Sequence, residues 1–579
     1  MFLSVSLRFP AVLLLACLVM AQTARAYHEE EMPKYEVRAV WLTTIGGLDW
    51  PHNYSSSPAS AQRQKEELRQ ILDRLQEANI NTVLLQTRIR ATTIYPSALE
   101  PWDGCFSGMP GKSPGYDPLA FAVEECHKRG MELHAWVVAI PVGKWGSEGC
   151  KSLRKKHPDM VKKIGDSGFM NPENPAVAPY IASLCREIAE GYDVDGIHLD
   201  YIRYPEEWPT GKKKGNIDLG EKARRNITEI VKQVYNSVKD LKPWIKISCS
   251  PVGKFDDLSR FSSRGWNAFR RVGQDAQGWL KDGIMDILFP MMYFRNDQFF
   301  PFALDWKENS YGRPICSGLG IYFLSPKEGR WQLTDIRRQL FFLRDEGLGH
   351  AFFRSKFLTD DTKGIYSLSA KIFDRYPALT PPISWQNASL PETPQSFEVE
   401  RFEKGDIITW EMSSDTLYYN IYASHSFPVD TDDPKNLVGI KLRKNRISVE
   451  LTEGQPTFYY ALTAIDRYGN ESPATQCQSP SSKESGSELF AALKEGGVPS
   501  SPVFSNDGKT LQLPHIQGLN AKFISFETLQ GVSVASRTFD GGPIDISRIP
   551  DGFYQLRSHA KKGAPHRLGF IIIKRDQTN

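Results

Sequence analysis

Short apolar segments alternate with longer amphipathic segments between residues 36 and about 372, and the alternation repeats eight times. The short segments are almost continuously apolar, as in parallel strands that helices cover on both faces. They span residues 37–43, 82–87, 132–138, 196–200, 246–250, 286–292, 315–321 and 350–353. This pattern predicts repeated strand–helix units and a parallel α/β fold.

The amphipathic segments between these strands predict helices. They span residues 61–78, 119–129, 177–192, 221–239 and 333–346. Asp117 and Pro118 supply an N-cap and a first-turn proline for the second of them. Eight units over about 340 residues favour a closed barrel over an open doubly wound sheet, and no GxGxxG motif opens the first unit. We therefore predict a (β/α)8 TIM barrel at residues 34–380.

The helical period disappears after the run Thr380-Pro381-Pro382, and short alternating strands follow. Residues 388–480 resemble a fibronectin type III module, with Trp410 as its core tryptophan and Tyr460 near the sixth strand. A polar linker then leads into a strand-rich unit at 488–579. Its close is similar to small β-sandwich sorting domains, and a plain accessory sandwich is the alternative. The predicted fold class is thus a TIM barrel followed by two small all-β sandwich-like domains.

The first 26 residues have the features of a secretory signal peptide. Arg8 precedes an apolar stretch at 11–19, and a small-x-small sequence ends at Ala26. We expect cleavage near Ala26 and export to the periplasm, the cell surface or the medium. Lipidation at Cys17 is the disfavoured alternative, because apolar residues continue beyond it. No later segment approaches the 18 to 20 apolar residues of a membrane span.

The near balance of charge argues against nucleic acid as a partner. The chain has 71 basic and 68 acidic residues, a net charge of +3, so no strong field attracts nucleic acid. Its 13 Trp, 22 Tyr and 31 Phe supply apolar ring faces on which sugars can stack, although most aromatic residues fill cores. Without CxxC or HExxH spacing, a structural zinc or a zincin-type metal site has no support. We predict no metal site, and the chemistry predicted below requires no cofactor. Cys105 and Cys150 lie in predicted loops, and their pairing is left open.

Functional groups of a TIM barrel project from the carboxyl ends of the strands. The fourth strand ends in the run DGIHLDYIRYP, in which alternation places His198 and Asp200 on the inner face. A carboxylate at that height is suited to glycosidic chemistry as a nucleophile or an acid/base. Asp200 is therefore the predicted catalytic residue; an acid that pairs with Arg203 and orders the loop is the alternative.

Other residues near strand ends are predicted to bind substrate. His134 and Trp136 share a face of the third strand, and Trp136 is a candidate sugar platform. Arg88 and Arg90 follow the second strand, where anchoring of the loop by ion pairs is the alternative. Core packing is the alternative for the aromatic and histidine residues. The full predicted set is Arg88, Arg90, His134, Trp136, His198, Arg203, Tyr204, Tyr293 and Tyr322.

The same strand ends resemble the bacterial glycosyl-hydrolase-like 10 family over about residues 34–370. The motifs that carry the resemblance are EVRAVWLTT, GLDWP, YPSALEPW, PGYDPLAFAVEECHKRGMELHAW, NPENPAV, DGIHLDYIRYP and SPVG. The resemblance implies a (β/α)8 barrel that acts on glycosidic bonds. It also implies peptidoglycan glycan strands stripped of their peptides as one possible substrate, through an enterobacterial relative.

Two departures from the family pattern leave the second acid unassigned. Many members have two consecutive acids where this chain has Asp200 and Tyr201, and a frequent Pro-Gln is Pro290-Met291 here. The candidates for the second carboxylate are Asp49, Asp256, Asp257, Glu206, Glu207 and Asp297.

We predict an exported glycoside hydrolase that cleaves a polysaccharide with a carboxylate pair. The main alternative is a glycan-binding protein without activity on a TIM-barrel scaffold, since a fold does not imply catalysis. Polysaccharide deacetylation is a third hypothesis, which would require metal ligands that the sequence does not assemble. The sequence does not determine the oligomeric state.

Overall fold

The computed structural model describes most of the chain from Met32 onward. The described ranges are 32–209, 218–259, 261, 265–402, 405–413, 418–450, 458–477, 481–482, 509–513, 521–527, 533–550, 552–560 and 566–573. The predicted signal peptide at 1–26, with Cys17, lies outside them, as does most of the linker. Within the described residues, no helix combines the length and the apolar character needed to cross a membrane.

Among the residues that the structure describes, eleven strands lie between residues 38 and 352. They are β1 (Arg38–Leu42), β2 (Thr82–Arg88), β3 (Glu132–Val138), β4 (Pro141–Lys144), β5 (Val161–Ile164), β6 (Ser167–Met170), β7 (Gly196–Asp200), β8 (Lys246–Cys249), β9 (Ile287–Leu288), β10 (Cys316–Leu319) and β11 (Gly349–Phe352). Eight of them form one sheet in the order β10-β11-β1-β2-β3-β7-β8-β9, and the pairs within it are parallel. Parallel bridges from Leu288 to Ile315 and from Met291 to Gly318 join the two ends of this sheet. The predicted TIM barrel is therefore confirmed.

Helices follow the barrel strands. They are α1 (Pro58–Glu77), α2 (Gly104–Ser107), α3 (Pro118–His127), α4 (Glu148–Lys156), α5 (Val177–Gly191), α6 (Glu221–Lys239), α7 (Ala268–Val272), α8 (Ala276–Lys281), α9 (Phe300–Glu308), α10 (Leu333–Asp345), α11 (Ser355–Thr359) and α12 (Ile365–Leu368). Asp117 caps α3 by accepting hydrogen bonds from the backbone N–H groups of Leu119 and Ala120, as its position before Pro118 predicts. The long helices bury one apolar face, such as Leu68, Leu72 and Leu75 of α1.

Two parts of the barrel differ from the sequence prediction. The sixth strand is only Ile287–Leu288, because Pro290 has no N–H to donate and the pairing continues through isolated bridges at Met291. In addition, β4, β5 and β6 form a separate three-stranded sheet that the apolar pattern did not predict. This sheet follows β3 directly, so it stands above the carboxyl end of the barrel.

The interior of the barrel is filled by side chains rather than open. Residues that point inward form one buried cluster, with Tyr201 and Phe353 packed against it; its members are Val37, Ala39, Trp41, Leu84, Trp136, Val138, Ile287, Phe289, Cys316 and Ala351. Trp41 makes edge contacts with the rings of both His198 and Phe289. This packing closes the barrel below Asp200, so that only its upper rim is available to a ligand.

Two small all-β units follow the barrel, as predicted. The first contains β12 (Glu398–Phe402), β13 (Gly405–Thr409), β14 (Tyr418–Ser424), β15 (Leu437–Leu442), β16 (Arg446–Glu450), β17 (Tyr459–Ile465), β18 (Thr475–Cys477) and β19 (Ser481–Ser482). Its sheets have the orders β16-β13-β12-β19 and β15-β14-β17-β18. Trp410, Tyr419 and Tyr460 lie buried in its core. The fibronectin type III resemblance of this β-sandwich stays a prediction.

The second unit contains β20 (Thr510–Leu511), β21 (Phe523–Glu527), β22 (Ser533–Thr538), β23 (Ile544–Asp545), β24 (Gly552–His559) and β25 (His566–Ile573). A four-stranded sheet in the order β22-β21-β24-β25 accompanies the short β20-β23 pair. Its role as a sorting or accessory domain stays a prediction.

A buried carboxylate, Glu132, joins the floor of the barrel to the first β-sandwich. It accepts hydrogen bonds from Lys246 Nζ at 2.7 Å, from Lys441 Nζ of the sandwich at 2.8 Å, and from Thr380 Oγ1 at 2.5 Å. Burial by itself would raise the pKa of Glu132, but the charges of Lys246 and Lys441 hold that pKa well below its usual value. The ionised group therefore links three segments of the chain.

We expect Glu132→Gln to lower the free energy of unfolding at pH 7 by about 3 to 5 kcal/mol, since it leaves two lysines without their counter-charge. Because the folded-state pKa of Glu132 is depressed, its contribution is full above the unfolded pKa of about 4.3 and is lost as the pH falls through the folded pKa. The difference in the free energy of unfolding between wild type and variant should therefore become smaller at acidic pH. Denaturant unfolding of the full chain at several pH values measures this difference.

Glu124→Gln is the matched control, because that side chain is 62% exposed and pairs with Lys128 only at the surface. It should change stability by less than about 1 kcal/mol. Equal effects of the two substitutions would contradict the importance of the Glu132 link.

Candidate active site

Asp200 ends β7 at the mouth of the barrel, and three donors hold its carboxylate. Oδ1 accepts hydrogen bonds from Ser250 Oγ at 2.8 Å and from the N–H of Tyr201 at 2.8 Å, while Oδ2 accepts one from Trp136 Nε1 at 3.1 Å. The residue is 8% exposed. Its orientation is therefore fixed by two flanking strands and by its own turn.

Burial raises the pKa of Asp200, and the hydrogen bonds from Ser250, Tyr201 and Trp136, together with the charge of Arg203, oppose that rise. A carboxyl group with a raised pKa is suited to proton transfer nearer neutral pH. Tyr201 has φ = 50°, a left-handed conformation that is uncommon outside glycine and is found preferentially at functional sites.

Arg203 and Glu206 extend the site away from Asp200. Arg203 Nη2 donates a hydrogen bond to Glu206 Oε1 at 2.8 Å, and its guanidinium lies 4.3 Å from the ring centroid of Tyr201. On another side the ring of Trp266 lies 5.9 Å from the guanidinium and is 42% exposed. Burial raises the pKa of Tyr201, on which the charges of Arg203, Asp200 and Glu206 also act. The two carboxylates therefore lie near the same tyrosine.

The predicted mouth aromatics Tyr293 and Tyr322 come together. Their rings meet edge to face at 5.8 Å, and both contact Phe353. Burial, followed by the charge of Asp200, raises the pKa of Tyr293 well above its usual value. The charge of Asp200 thus acts on Tyr293, and Tyr322 packs against Tyr293.

Arg90 is exposed beside the same rim. Its charge acts on the Tyr201 hydroxyl, and no hydrogen bond or ion pair engages its guanidinium among the residues that the structure describes. Arg90 is therefore available to a ligand.

Two predicted binding histidines lie inside the barrel. His198 is fully buried between Trp41, whose Nε1 donates to His198 Nε2 at 3.2 Å, and Ser248, whose Oγ lies 3.0 Å from Nδ1. Burial holds its pKa well below the usual value, which favours the neutral ring. His134 is buried nearer the floor, 3.3 Å from Glu132. These contacts match the core-packing alternative, because neither ring reaches the rim.

Arg88, Trp136 and Tyr204 are also buried, contrary to the expectation of direct substrate contact. Arg88 forms a two-pronged ion pair with Glu100 at 2.7 and 2.8 Å and anchors the loop, as its alternative proposed. Trp136 is 4% exposed, so its indole orients Asp200 instead of offering a sugar platform. The Tyr204 hydroxyl accepts a hydrogen bond from Asn226.

The other acids differ in how they are held. Asp49 is 2% exposed, and its two oxygens accept hydrogen bonds from Thr43 and Arg354, so it anchors loops. Asp256 pairs with Arg270 at 2.9 Å. The remaining candidates are Asp257, which accepts a hydrogen bond from the N–H of Gly265, and the exposed residues Glu206, Glu207 and Asp297. Glu206 is the acid whose contacts connect it to Asp200.

The sequence reasoning missed Ser250 and Trp266. Ser250 is the first residue of the SPVG turn, at the carboxyl end of the fifth predicted strand. Functional residues of a TIM barrel lie at such strand ends, so its position was a usable signal. Trp266 lies in an aperiodic loop and carried no comparable signal.

Among the described residues, one group outside the mouth has the residue types of a metal site. Glu36, His350 and Asp374 converge within 4.8 Å in the barrel floor. Arg344 pairs with both carboxylates at 2.6 and 2.8 Å, and Arg38 pairs with Glu36 at 2.6 Å. These guanidinium groups already supply the positive charge that a cation would bring.

Cys105 and Cys150, whose pairing the sequence leaves open, are both buried free thiols.

A family model and several known proteins are similar to this chain. Residues 36–312 match the model of a family described as Glycosyl hydrolase-like 10. The chain is 29% identical over 496 residues to Glycosyl hydrolase YngK of Bacillus subtilis, an alignment that covers 76% of this chain and 92% of that protein. It is 31% identical over 288 residues to Glycosyl hydrolase DigH of Escherichia coli, which covers 45% of this chain and 65% of that protein.

Solved structures give more distant similarity. The PgaB (BpsB) glycoside hydrolase domain of Bordetella bronchiseptica aligns with a TM-score of 0.40 and 13% identity, over 58% of this chain and 99% of that one. The maltogenic α-amylase AmyB of Thermotoga neapolitana aligns with a TM-score of 0.37 and 11% identity, over 88% and 96%.

We expect Trp136→Phe to raise the pKa of Asp200 further, because it removes a hydrogen bond to the ionised form. The limb of the pH profile of kcat/KM that Asp200 governs should move to higher pH by about one unit, since such a bond contributes about 1.5 kcal/mol or more. The profile is measured on a glycan that the wild type hydrolyses. Trp385→Phe is the control, because that indole donates a hydrogen bond to Asp286 at the opposite end of the barrel. An equal shift of the pH profile in both variants would contradict the assignment of this limb to Asp200.

Proposed function

We propose that this protein is a glycoside hydrolase that cleaves O-glycosidic bonds of a polysaccharide at the mouth of its barrel. The observation that carries the proposal is the oriented, buried carboxylate of Asp200 at a barrel strand end, in a region that matches a glycosyl-hydrolase-like family. Exposed Trp266 and Arg90 and the Tyr293–Tyr322 pair supply ring faces and a cation for a sugar.

Hydrolysis requires a second carboxyl group, and we assign Glu206 to it. One carboxyl donates a proton to the leaving glycosidic oxygen, and the other activates water or attacks the anomeric carbon. Arg203 bonds Glu206 and lies over the ring of Tyr201, whose N–H donates to Asp200, so Glu206 is held on the same rim as the first acid. A separation of about 5 to 5.5 Å in the complex would give retention of configuration, and about 6.5 to 9.5 Å would give inversion.

The substrate and the location belong to the proposal as well. Peptide-free glycan strands of peptidoglycan come first among the substrates to test. The sequence motifs resemble a family in which an enterobacterial relative is associated with this substrate. The features of residues 1–26 support export, which would bring the protein to such a polymer.

A glycan-binding protein without activity is the second candidate. Each of three acids near the rim forms an ion pair with an arginine: Asp49 with Arg354, Asp256 with Arg270 and Glu206 with Arg203. A carboxylate that is held in an ion pair is less available as a second catalytic group, which favours this function. Glycan binding without release of reducing ends over long incubation would select this function.

We expect Asp200→Asn to reduce kcat about a thousandfold with little change in fold, because general acid–base catalysis contributes about 10² to 10⁴ in rate. Reducing-end release from peptide-free glycan strands measures activity, and circular dichroism measures folding. Asp297→Asn, at an exposed position, is the matched control and should retain activity. Activity of the Asp200 variant within a fewfold of wild type would exclude this residue.

Glu206→Gln should lower kcat about a hundredfold and leave KM within a fewfold, if the group acts only on the reacting bond. Glu207→Gln changes the neighbouring exposed acid and serves as its control. Unchanged kcat in the Glu206 variant would assign the second role to another acid.

A further inference from the structure

The sheet formed by β4, β5 and β6, with α4 between its strands, is strongly basic. We refer to residues 141–170 as the β-insertion. Seven basic side chains stand against three acidic ones, Glu148, Asp159 and Asp166; the basic ones are Lys144, Lys151, Arg154, Lys155, Lys156, Lys162 and Lys163. The resulting net charge of +4 exceeds the +3 of the whole chain. This local excess favours an anionic partner.

A shallow, open depression of about 620 Å³ lies on the β-insertion, and we call it the groove. It is lined by Lys144, Trp145, Gly146, Ser147, Lys163 and Asp166, of which Lys144 and Asp166 pair at 3.5 Å. The half-buried indole of Trp145 is stiffened by Arg154, whose guanidinium lies 3.8 Å from the ring centroid and whose Nη2 bonds the Trp145 carbonyl at 2.9 Å. Exposed Lys163 places its ammonium 5.5 Å from the same ring. Arg154 covers one face of the indole, so a ligand can stack only on the other face, with the Lys163 ammonium within reach of the ring.

The β-insertion adjoins the rim that contains Asp200. A methyl group added at Gly143 of β4 would lie 3.3 Å from Cβ of Arg90. Arg90 follows β2, and only β3 separates β2 from β7, the strand that ends in Asp200. Trp145 follows Gly143 by two residues, so a polymer that passes Arg90 can continue toward the groove.

We infer that the groove beside Trp145 is a distal subsite for an anionic segment of the polysaccharide. The inference rests on the proposed function, because Asp200 defines where the chain is cut. A pyranose ring stacks on Trp145 through its C–H face, and a carboxylate or sulfate of the sugar pairs with Lys163. The subsite would favour long, charged chains over short or neutral ones.

Binding is tested in Asp200→Asn protein, so that failure of hydrolysis does not affect the result. The probes are peptide-free peptidoglycan strands, polygalacturonate and heparan sulfate as anionic polymers, and dextran as a neutral one. Affinity is measured by isothermal titration at 50 and 300 mM NaCl. Adding Trp145→Ala or Lys163→Glu should weaken binding of at least one anionic polymer about tenfold, with a smaller effect at high salt for the lysine.

Matched controls lie on the opposite end of the barrel. Tyr311→Ala removes a ring that is 52% exposed, and Lys281→Glu makes the same charge change as Lys163→Glu at another exposed lysine. Lys163→Glu changes only an exposed side chain, so it remains informative if Trp145→Ala unfolds the β-insertion. Equal affinities in the parent and both groove variants, or no binding of any anionic polymer, would overturn the subsite. If the wild-type protein hydrolyses none of these polymers while the binding still depends on the groove, only the proposed function is contradicted.

Discussion

The closure of the eight-stranded parallel sheet is the constraint on which the site depends. Adjacent strands in register place Val138 opposite Asp200, and Ser250 follows the strand on the other side. Because side chains alternate between the two faces, Trp136 and Asp200 point into the same interior from neighbouring strands. A shift of one residue in either strand would turn the donor outward and leave the carboxylate without it. The packed interior below makes such a shift costly.

The barrel could be predicted because its strands are apolar on both faces and its helices are long and amphipathic. The position of Asp200 followed from one rule about strand ends. The donors to Asp200 could not be recognised in the same way, because the register between β3 and β7 is a property of the closed sheet. Trp136 illustrates this, since an indole at a strand end can support a sugar or a carboxylate, and only its neighbour decides which.

Other differences also have physical causes. The β-insertion was missed because its strands are only four residues long and rich in glycine and lysine. Its Gly165-Asp166 pair between β5 and β6 is a hairpin signal that the sequence does contain. The sequence predicts Arg88 as a substrate-binding residue because it follows the second strand, with an ion pair as the alternative. In the structure Arg88 is buried, and Glu100, twelve residues away, compensates its charge. Long-range pairs of this kind leave no local pattern.

The lysine that the β-sandwich contributes to Glu132 also bears on how such proteins diversify. Accessory modules are commonly exchanged between enzymes as independent parts, joined by linkers that carry few contacts. Here Lys441 completes the charge balance of a barrel strand, and Thr380, at the end of the predicted barrel, bonds the same carboxylate. A replacement module would need its own cation at that position. Recombination at this boundary is therefore constrained by electrostatics, and the barrel and its sandwich should be inherited together.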